Sequence, residues 1–274
     1  MSRMVSLACA ILALILIRPA AAIDIEGDLV PGGMAIGRTD PGAKVLLGEV
    51  PVMVGADGVF VLGFGRDQGP HLQLTVIQAD GRAEQQILRL TPRAYEIQRI
   101  EQLDQNMVTP DPATEARIKA DQERVKAARA EPSDRRYFLM NFIWPTIGPI
   151  SGVYGSQRIL NGTPKAPHFG TDIAAPEGSP VVAPADGVVR LAESNLYLTG
   201  GTIILDHGHG IYTSYLHLSA IDVVIGEAVK QAQRIGAVGA TGRATGPHLH
   251  WGLNWNETRL DPALLVPPMQ AAAP

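Results

Sequence analysis

Five residues in the C-terminal part of the chain, His168, Asp172, His217, His248 and His250, carry the side chains that a hydrolytic metal site needs. Imidazole nitrogens and carboxylate oxygens are zinc ligands, and three protein ligands leave a fourth position open to water. In Thr245-Gly246-Pro247-His248-Leu249-His250-Trp251-Gly252-Leu253, strand geometry sends residues 248 and 250 to one face. Both imidazoles then enter one cavity, while Leu249 and Trp251 pack on the opposite face. The four-residue interval from His168 to Asp172 suits a helical ligand pair, but Gly170, Thr171, Pro164 and Pro167 argue for a loop entering a strand. That loop supplies two ligands and the 248/250 strand a third; spacing does not distinguish His248 from His250. His217 closes Tyr212-Thr213-Ser214-Tyr215-Leu216-His217-Leu218, a strand end from which a polar group can face a cleft.

The elements that must hold these residues are mainly strands. Residues 24 to 92 alternate short apolar runs (Val45 to Leu47, Val50 to Val54, Val59 to Phe64, Leu72 to Ile77, Ile87 to Leu90) with turn signals such as Asp40-Pro41-Gly42, Asp57-Gly58 and Asp80-Gly81. Leu72, Leu74 and Val76 share one strand face and Gln73 and Thr75 the other, the period of a half-buried sheet. A small β-sandwich-like N-terminal domain over residues 23–105 is the expectation. Asp111-Pro112 then offers an N-cap followed by proline at the first helical position, and Ala113 to Ala130 is rich in Ala, Glu, Lys, Arg and Gln. The apolar face, Ile118, Val125 and alanines, is narrow, so residues 106–136 read as a charged helical linker and a solvated spacer. From Phe138 onward short strands return (Gly187 to Ala192, Thr202 to Asp206, Ile211 to His217, Arg234 to Val238, His248 to Asn254), giving a second antiparallel β domain over residues 137–266 and a flexible tail over 267–274.

Composition narrows the partners. Residues 1–22 read as a signal peptide, with Arg3, an apolar run from Val5 to Ile17, and the small residues Ala20-Ala21-Ala22 before the cut. The run is shorter than the roughly 20 residues that span a bilayer. Cys9, the sole cysteine, lies within it and lacks a lipoprotein-type context, so the remaining chain has no cysteine for a disulfide or zinc finger and any metal must rest on His and carboxylate groups. Removing that segment takes away two arginines and moves the formal charge from −4 to −6. No basic patch for nucleic acid and no further apolar segment long enough to span a membrane is present.

His168-x-x-x-Asp172, His217 within Tyr-x-His-Leu and His248-x-His250, in that order and with Gly170-Thr171-Asp172-Ile173-Ala174-Ala175-Pro176, Pro184-Ala185-Asp186-Gly187-Val188-Val189 and Gly239-Ala240-Thr241-Gly242 around them, resemble the lysostaphin and LytM-type zinc metallopeptidases of peptidase family M23. The resemblance covers about residues 145 to 263. It implies that His168, Asp172 and His250 bind one Zn2+ per chain, that His217 and His248 flank the metal-activated water, and that peptide bonds in peptidoglycan cross-links are the substrate. No His-Glu-x-x-His helix is present, so proton transfer and oxyanion stabilisation fall to His217 and His248, in an order that spacing leaves open. The implied location is the periplasm or the cell wall after export, with a cell-envelope protein as a further candidate partner. The competing expectation is a non-catalytic LytM-type regulator that activates cell-wall amidases; such family members have lost zinc ligands, whereas all five positions here are filled. The N-terminal domain is expected either to dock the protein or to shield the cleft.

Other candidates carry less. His207 and His209 mimic a second His-x-His but sit among glycines and read as a turn near the cleft. His71 reads as an exposed turn residue, Asp186-Gly187 and Asp261-Pro262 as turns, and Trp144, Trp251 and Trp255 as core or cleft-wall aromatics, with Trp255 the one best suited to touch substrate.

Overall fold

A computed structural model describes residues 23–102 and 109–269; the expected signal peptide with Cys9, and residues 270–274 of the expected tail, lie outside them. The chain is mainly β, with antiparallel sheets and one α-helix among the described residues. The N-terminal part stacks a three-stranded sheet (Asp24–Gly27, Met34–Arg38, Val59–Gly63) against a four-stranded one (Val50–Val52, Lys44–Leu47, His71–Ile77, Ala83–Arg89). The predicted alternation appears in strand His71–Ile77, where Leu74 and Val76 are fully buried. Strands Asp24–Gly27 and Met34–Arg38 were not expected from periodicity, because glycines and charged residues interrupt the apolar pattern.

An eight-stranded antiparallel sheet organises the C-terminal part, in the order Ala228–Val229, Gly187–Leu196, Gly200–Gly208, Ile211–Leu218, His248–Trp255, Thr171–Ala174, Ile150–Gly152, with Thr258–Leu260 also paired to His248–Trp255. One face rests on a core that includes Ile173, Val189, Ile203, Leu205, Tyr215, Leu249 and Trp251. The other face carries Asp172, His248 and His250, with His217 near a strand end and His168 on the loop before Thr171.

The two parts share a hydrophobic cluster. Phe60, Leu62, Leu74 and Val76 of the N-terminal sheets pack in one group with Phe138, Ile211, Leu253, Trp255 and Leu260. Gly63 permits the approach: a Cβ there would lie 2.6 Å from the Trp255 Cβ. Trp255, 5% exposed, therefore belongs to this shared core and is not available to substrate, because Gly63 presents no side chain to keep the N-terminal sheet away from its ring. Arg93 adds an ion pair across the same junction, 2.9 Å from Asp261, whose carboxylate also caps the short 3-10 helix Pro262–Leu265.

Helix α1 (Pro112–Ala127) starts as expected, with the Asp111 carboxylate accepting from the Thr114 amide at 2.9 Å. It is no solvated spacer. Although none of its residues is buried, Val125 and the following Ala128 pack on Leu196, Ile204 and Tyr212. The Tyr197 amide donates to Asp121 at 2.7 Å, and Arg117 donates to the Asn195 carbonyl at 3.0 Å. A narrow apolar stripe is enough here because polar side chains complete the contact with strand ends.

One pairing was invisible to sequence patterns. Strand Ile97–Ile100 runs parallel to Gln157–Leu160, with Gln98 beside Arg158. It thereby carries the end of the N-terminal segment to the edge of the site.

His207 lies in strand Gly200–Gly208 rather than in a turn, fully buried, its Nδ1–H donating to the Asp186 carbonyl at 2.7 Å and its Nε2 2.7 Å from the Thr213 hydroxyl. Burial pulls its pKa down to about 4, against 6.5 for a free imidazole. The unfolded chain therefore takes up this proton first, and the group's contribution to stability, present above pH 6.5, is lost as pH falls towards 4. Urea titrations should show stability declining over that window and a flatter profile for His207→Gln; parallel profiles would refute the assignment. Trp255→Ala should cost about 3–5 kcal/mol by the same method, as for other buried large aromatics, whereas a loss below about 1 kcal/mol would place Trp255 outside a packed core.

Candidate metal centre

Register builds the site. Asp172 on strand Thr171–Ala174 stands directly opposite His250, and Leu216 flanks His250 from the other side. Directly opposed residues in an antiparallel pair have Cβ atoms about 5 Å apart, so a carboxylate and an imidazole are pressed together on one face. His248 shares that face, two residues before His250, while Leu249 and Trp251 are fully buried opposite, as the alternation required.

His168 arrives from the loop before Thr171, as expected, and is 1% exposed. Its amide donates to the Ser156 carbonyl at 2.8 Å, and its ring Nδ1–H donates to the Val153 carbonyl at 3.0 Å. A carbonyl only accepts, so this bond leaves Nε2 bare. That nitrogen lies 3.0 Å from Asp172 Oδ1 and 3.0 Å from His250 Nδ1, and His250 Nδ1 lies 2.8 Å from the same carboxylate oxygen. Three atoms of metal-ligand type thus converge from three segments of the chain, and His168, Asp172 and His250 form a group able to hold a metal ion.

His217 and His248 stand beside this group. Their ring centroids are 4.8 Å apart, and the His217 ring is 6.3 Å from that of His250. Each is tethered through Nδ1–H, His217 to the Thr241 carbonyl and His248 to the Gly246 carbonyl, both at 2.8 Å. In the neutral ring each Nε2 is then the acceptor, and both rings line a cleft of about 280 Å3 together with Asp172 and His250. His217 occupies a left-handed backbone conformation, φ 66°, which turns it out of the strand path; such strain concentrates at functional sites.

Electrostatics favour a cation at the centre. Burial opposes charge on Asp172, but the His168 and His250 imidazoles against its Oδ1 outweigh it and hold the carboxyl well below the ordinary range. Burial pushes His250 down to about 4 and His217 down to about 3, the latter helped by neighbouring imidazoles, so both rings are neutral near pH 7. Neutral imidazoles and an ionised carboxylate are the forms that bind metals.

Several contributors escaped the sequence reading. Arg158 donates through Nη2 to Asp172 Oδ2 at 3.1 Å, leaving Oδ1 for the imidazoles, and Gln98 accepts from Arg158 Nε at 3.4 Å. Gly170 makes room: a Cβ there would sit 2.5 Å from His250 Nε2. Arg158 lies outside every motif, and the parallel pairing with Ile97–Ile100 that positions it has no signal in the sequence. His207 and His209 are not brought here; His209, also buried, packs on Phe138 at 5.0 Å.

The same architecture extends over nearly the whole chain in a solved structure, an M23 protein of Pseudomonas aeruginosa, which is 30% identical and covers 87% of this chain and 95% of its own, with a TM-score of 0.67. The chain belongs to peptidase family M23. The family profile, Peptidase family M23, matches residues 166–262, which hold all five candidate residues. Among curated M23-like relatives, the peptidoglycan DD-endopeptidase ShyA of Vibrio cholerae is 50% identical over 105 residues, 38% of this chain and 24% of that protein. The cell division protein DipM of Caulobacter vibrioides is 35% identical over 132 residues, 46% of this chain and 21% of that protein. The chain therefore spans about a quarter of the length of these relatives.

Substitutions separate the roles within this M23 site. His250→Ala should lose bound metal, measured by elemental analysis of the purified protein, while His248→Ala keeps it; metal retained by the first variant would refute the grouping. Arg158→Gln should weaken metal binding by about 10- to 100-fold in a competitive chelator titration, the range for partners that orient a ligand, and an unchanged constant would make the Arg158 contact incidental.

Proposed function

We propose that the chain is an exported zinc metalloendopeptidase of the periplasm or cell wall that hydrolyses peptide bonds in peptidoglycan cross-links. The observation that carries this reading is the convergence of His168 Nε2, Asp172 Oδ1 and His250 Nδ1 within 3.0 Å of one another, beside two imidazoles whose Nε2 atoms are free. In this reading His168, Asp172 and His250 hold one zinc ion. Zinc supplies Lewis acidity, which activates water near neutral pH and polarises a carbonyl.

The remaining work belongs to the chain. His217, neutral at pH 7 and anchored through Thr241, offers a lone pair that accepts a proton; His248, anchored through Gly246, faces it across the cleft. Whichever of the two takes up the proton of the attacking water then carries an Nε2–H that donates to the oxygen on which charge develops, so general acid–base and oxyanion catalysis follow from the one proton transfer. Ser151, Gln98 and Ile100 wall the same cleft, so the N-terminal segment contributes to the surface that meets the peptide. The wall peptide as substrate is supported by relatives named as peptidoglycan DD-endopeptidases, and export by the expected signal peptide.

Incubating the zinc-loaded protein with purified cross-linked peptidoglycan and resolving the muropeptides by mass spectrometry should reveal new fragments that identify the bond cut. His217→Ala and His248→Ala should each lower the rate by about 10²- to 10⁴-fold with zinc still bound. An unchanged muropeptide profile with one zinc per chain would overturn the catalytic reading in favour of an amidase regulator.

A further inference from the structure

Helix α1 roofs a second cavity, of about 400 Å3, against the sheet face that carries His250. Its floor is continuous with the metal centre through the register: Leu216 stands opposite His250, Ser214 opposite Gly252, and Ile204 opposite Ser214. His250 and Phe169 line it at the end nearest the metal centre.

Two guanidinium groups face this cavity. Arg129, just beyond α1, is only 8% exposed; its Nε is buried without a hydrogen-bond partner, and its Nη1 makes one long bond, 3.4 Å, to the Asn254 side chain. Arg259 is exposed, with its guanidinium carbon 5.3 Å from the Phe169 ring centroid. Among the described residues neither has a carboxylate within 4.0 Å. Buried arginine is ordinarily paired, because its desolvated N–H groups are costly to leave unmet. The planar fork matches a carboxylate in bidentate fashion. Lys126 and the acids Asp121, Glu123 and Glu257 also line the cavity, so its formal charges cancel, which opposes a polyanion and leaves the two guanidinium groups as the local anion-binding feature.

We propose that this cavity is a binding site for the free carboxylate end of a peptide whose body lies in the His217–His250 cleft, held by Arg129 and Arg259 beneath α1. The inference rests on the peptidase reading above, and it makes the linker helix part of substrate recognition. It also selects peptides with a free C-terminus on the α1 side of the cut over chains that continue past it.

The test uses the full chain carrying His217→Ala, so that nothing is cut, and isothermal titration with a D-alanine-terminated tetrapeptide as the free acid and as the C-terminal amide. The acid should bind at least tenfold more tightly. Arg259→Gln, and separately the charge-conserving Arg129→Lys, should each lower that acid-to-amide ratio at least threefold, with thermal unfolding followed to show that the buried Arg129 site still folds. Equal binding of acid and amide would overturn the proposal. So would a ratio that survives both substitutions but disappears in Arg243→Gln, which would place the carboxylate in the metal cleft that Arg243 lines. Muropeptide cleavage with a ratio near one refutes this site and leaves the hydrolase standing; a tenfold ratio without cleavage does the reverse.

Discussion

A carboxylate exposed to only 7%, with imidazole nitrogens within 3.0 Å of one oxygen and a guanidinium on the other, is the constraint around which this protein is built. Charge buried in that way is costly unless each oxygen is matched. Asp172 meets the requirement by dividing its two oxygens between opposite sides, Oδ2 to Arg158 and Oδ1 to His168 and His250. The antiparallel pairing that sets Asp172 opposite His250, the tether from His168 to the Val153 carbonyl and the missing side chain of Gly170 all follow from that arrangement. A one-residue slip of strand His248–Trp255 would send both imidazoles into the Leu249 and Trp251 core and expose those side chains, so fold and site stand or fall together.

Much of this was legible in the residues. Alternation in His248–Trp255 predicted which side chains face the cavity and which the core, and the glycine and prolines around His168 placed it on a loop. Capping by Asp111 and Pro112 located the start of α1. What escaped was whatever depends on distant segments. Arg158 reaches Asp172 from outside any motif; the left-handed conformation of His217 has no signature in a non-glycine residue; and Trp255, an aromatic near the site in sequence, packs instead on Gly63 of the N-terminal sheet. Spacing also did not distinguish His248 from His250; the structure places the Nδ1 of His250 against Asp172 and keeps His248 Nε2 4.0 Å away.

The shared core changes how the N-terminal segment can act. Moving it away as a unit would expose Ile211, Leu253, Trp255 and Leu260 as well as its own Phe60 and Leu62, a large apolar surface to release at once. Strand Ile97–Ile100 instead places Gln98 and Ile100 at the cleft as fixed walls. Together with α1 across the other end of the same sheet face, it makes the groove a product of the whole chain. These elements lie outside the stretch that the M23 profile matches.

The most direct measurement of the central claim is X-ray absorption at the zinc edge of the purified, zinc-loaded protein. The account predicts a first shell with two imidazole nitrogens and one carboxylate oxygen, at about 2.0–2.2 Å, which is unchanged in His248→Ala, while His250→Ala retains no zinc. A shell without histidine, or one that loses an imidazole with His248→Ala, or zinc retained by His250→Ala, would contradict it.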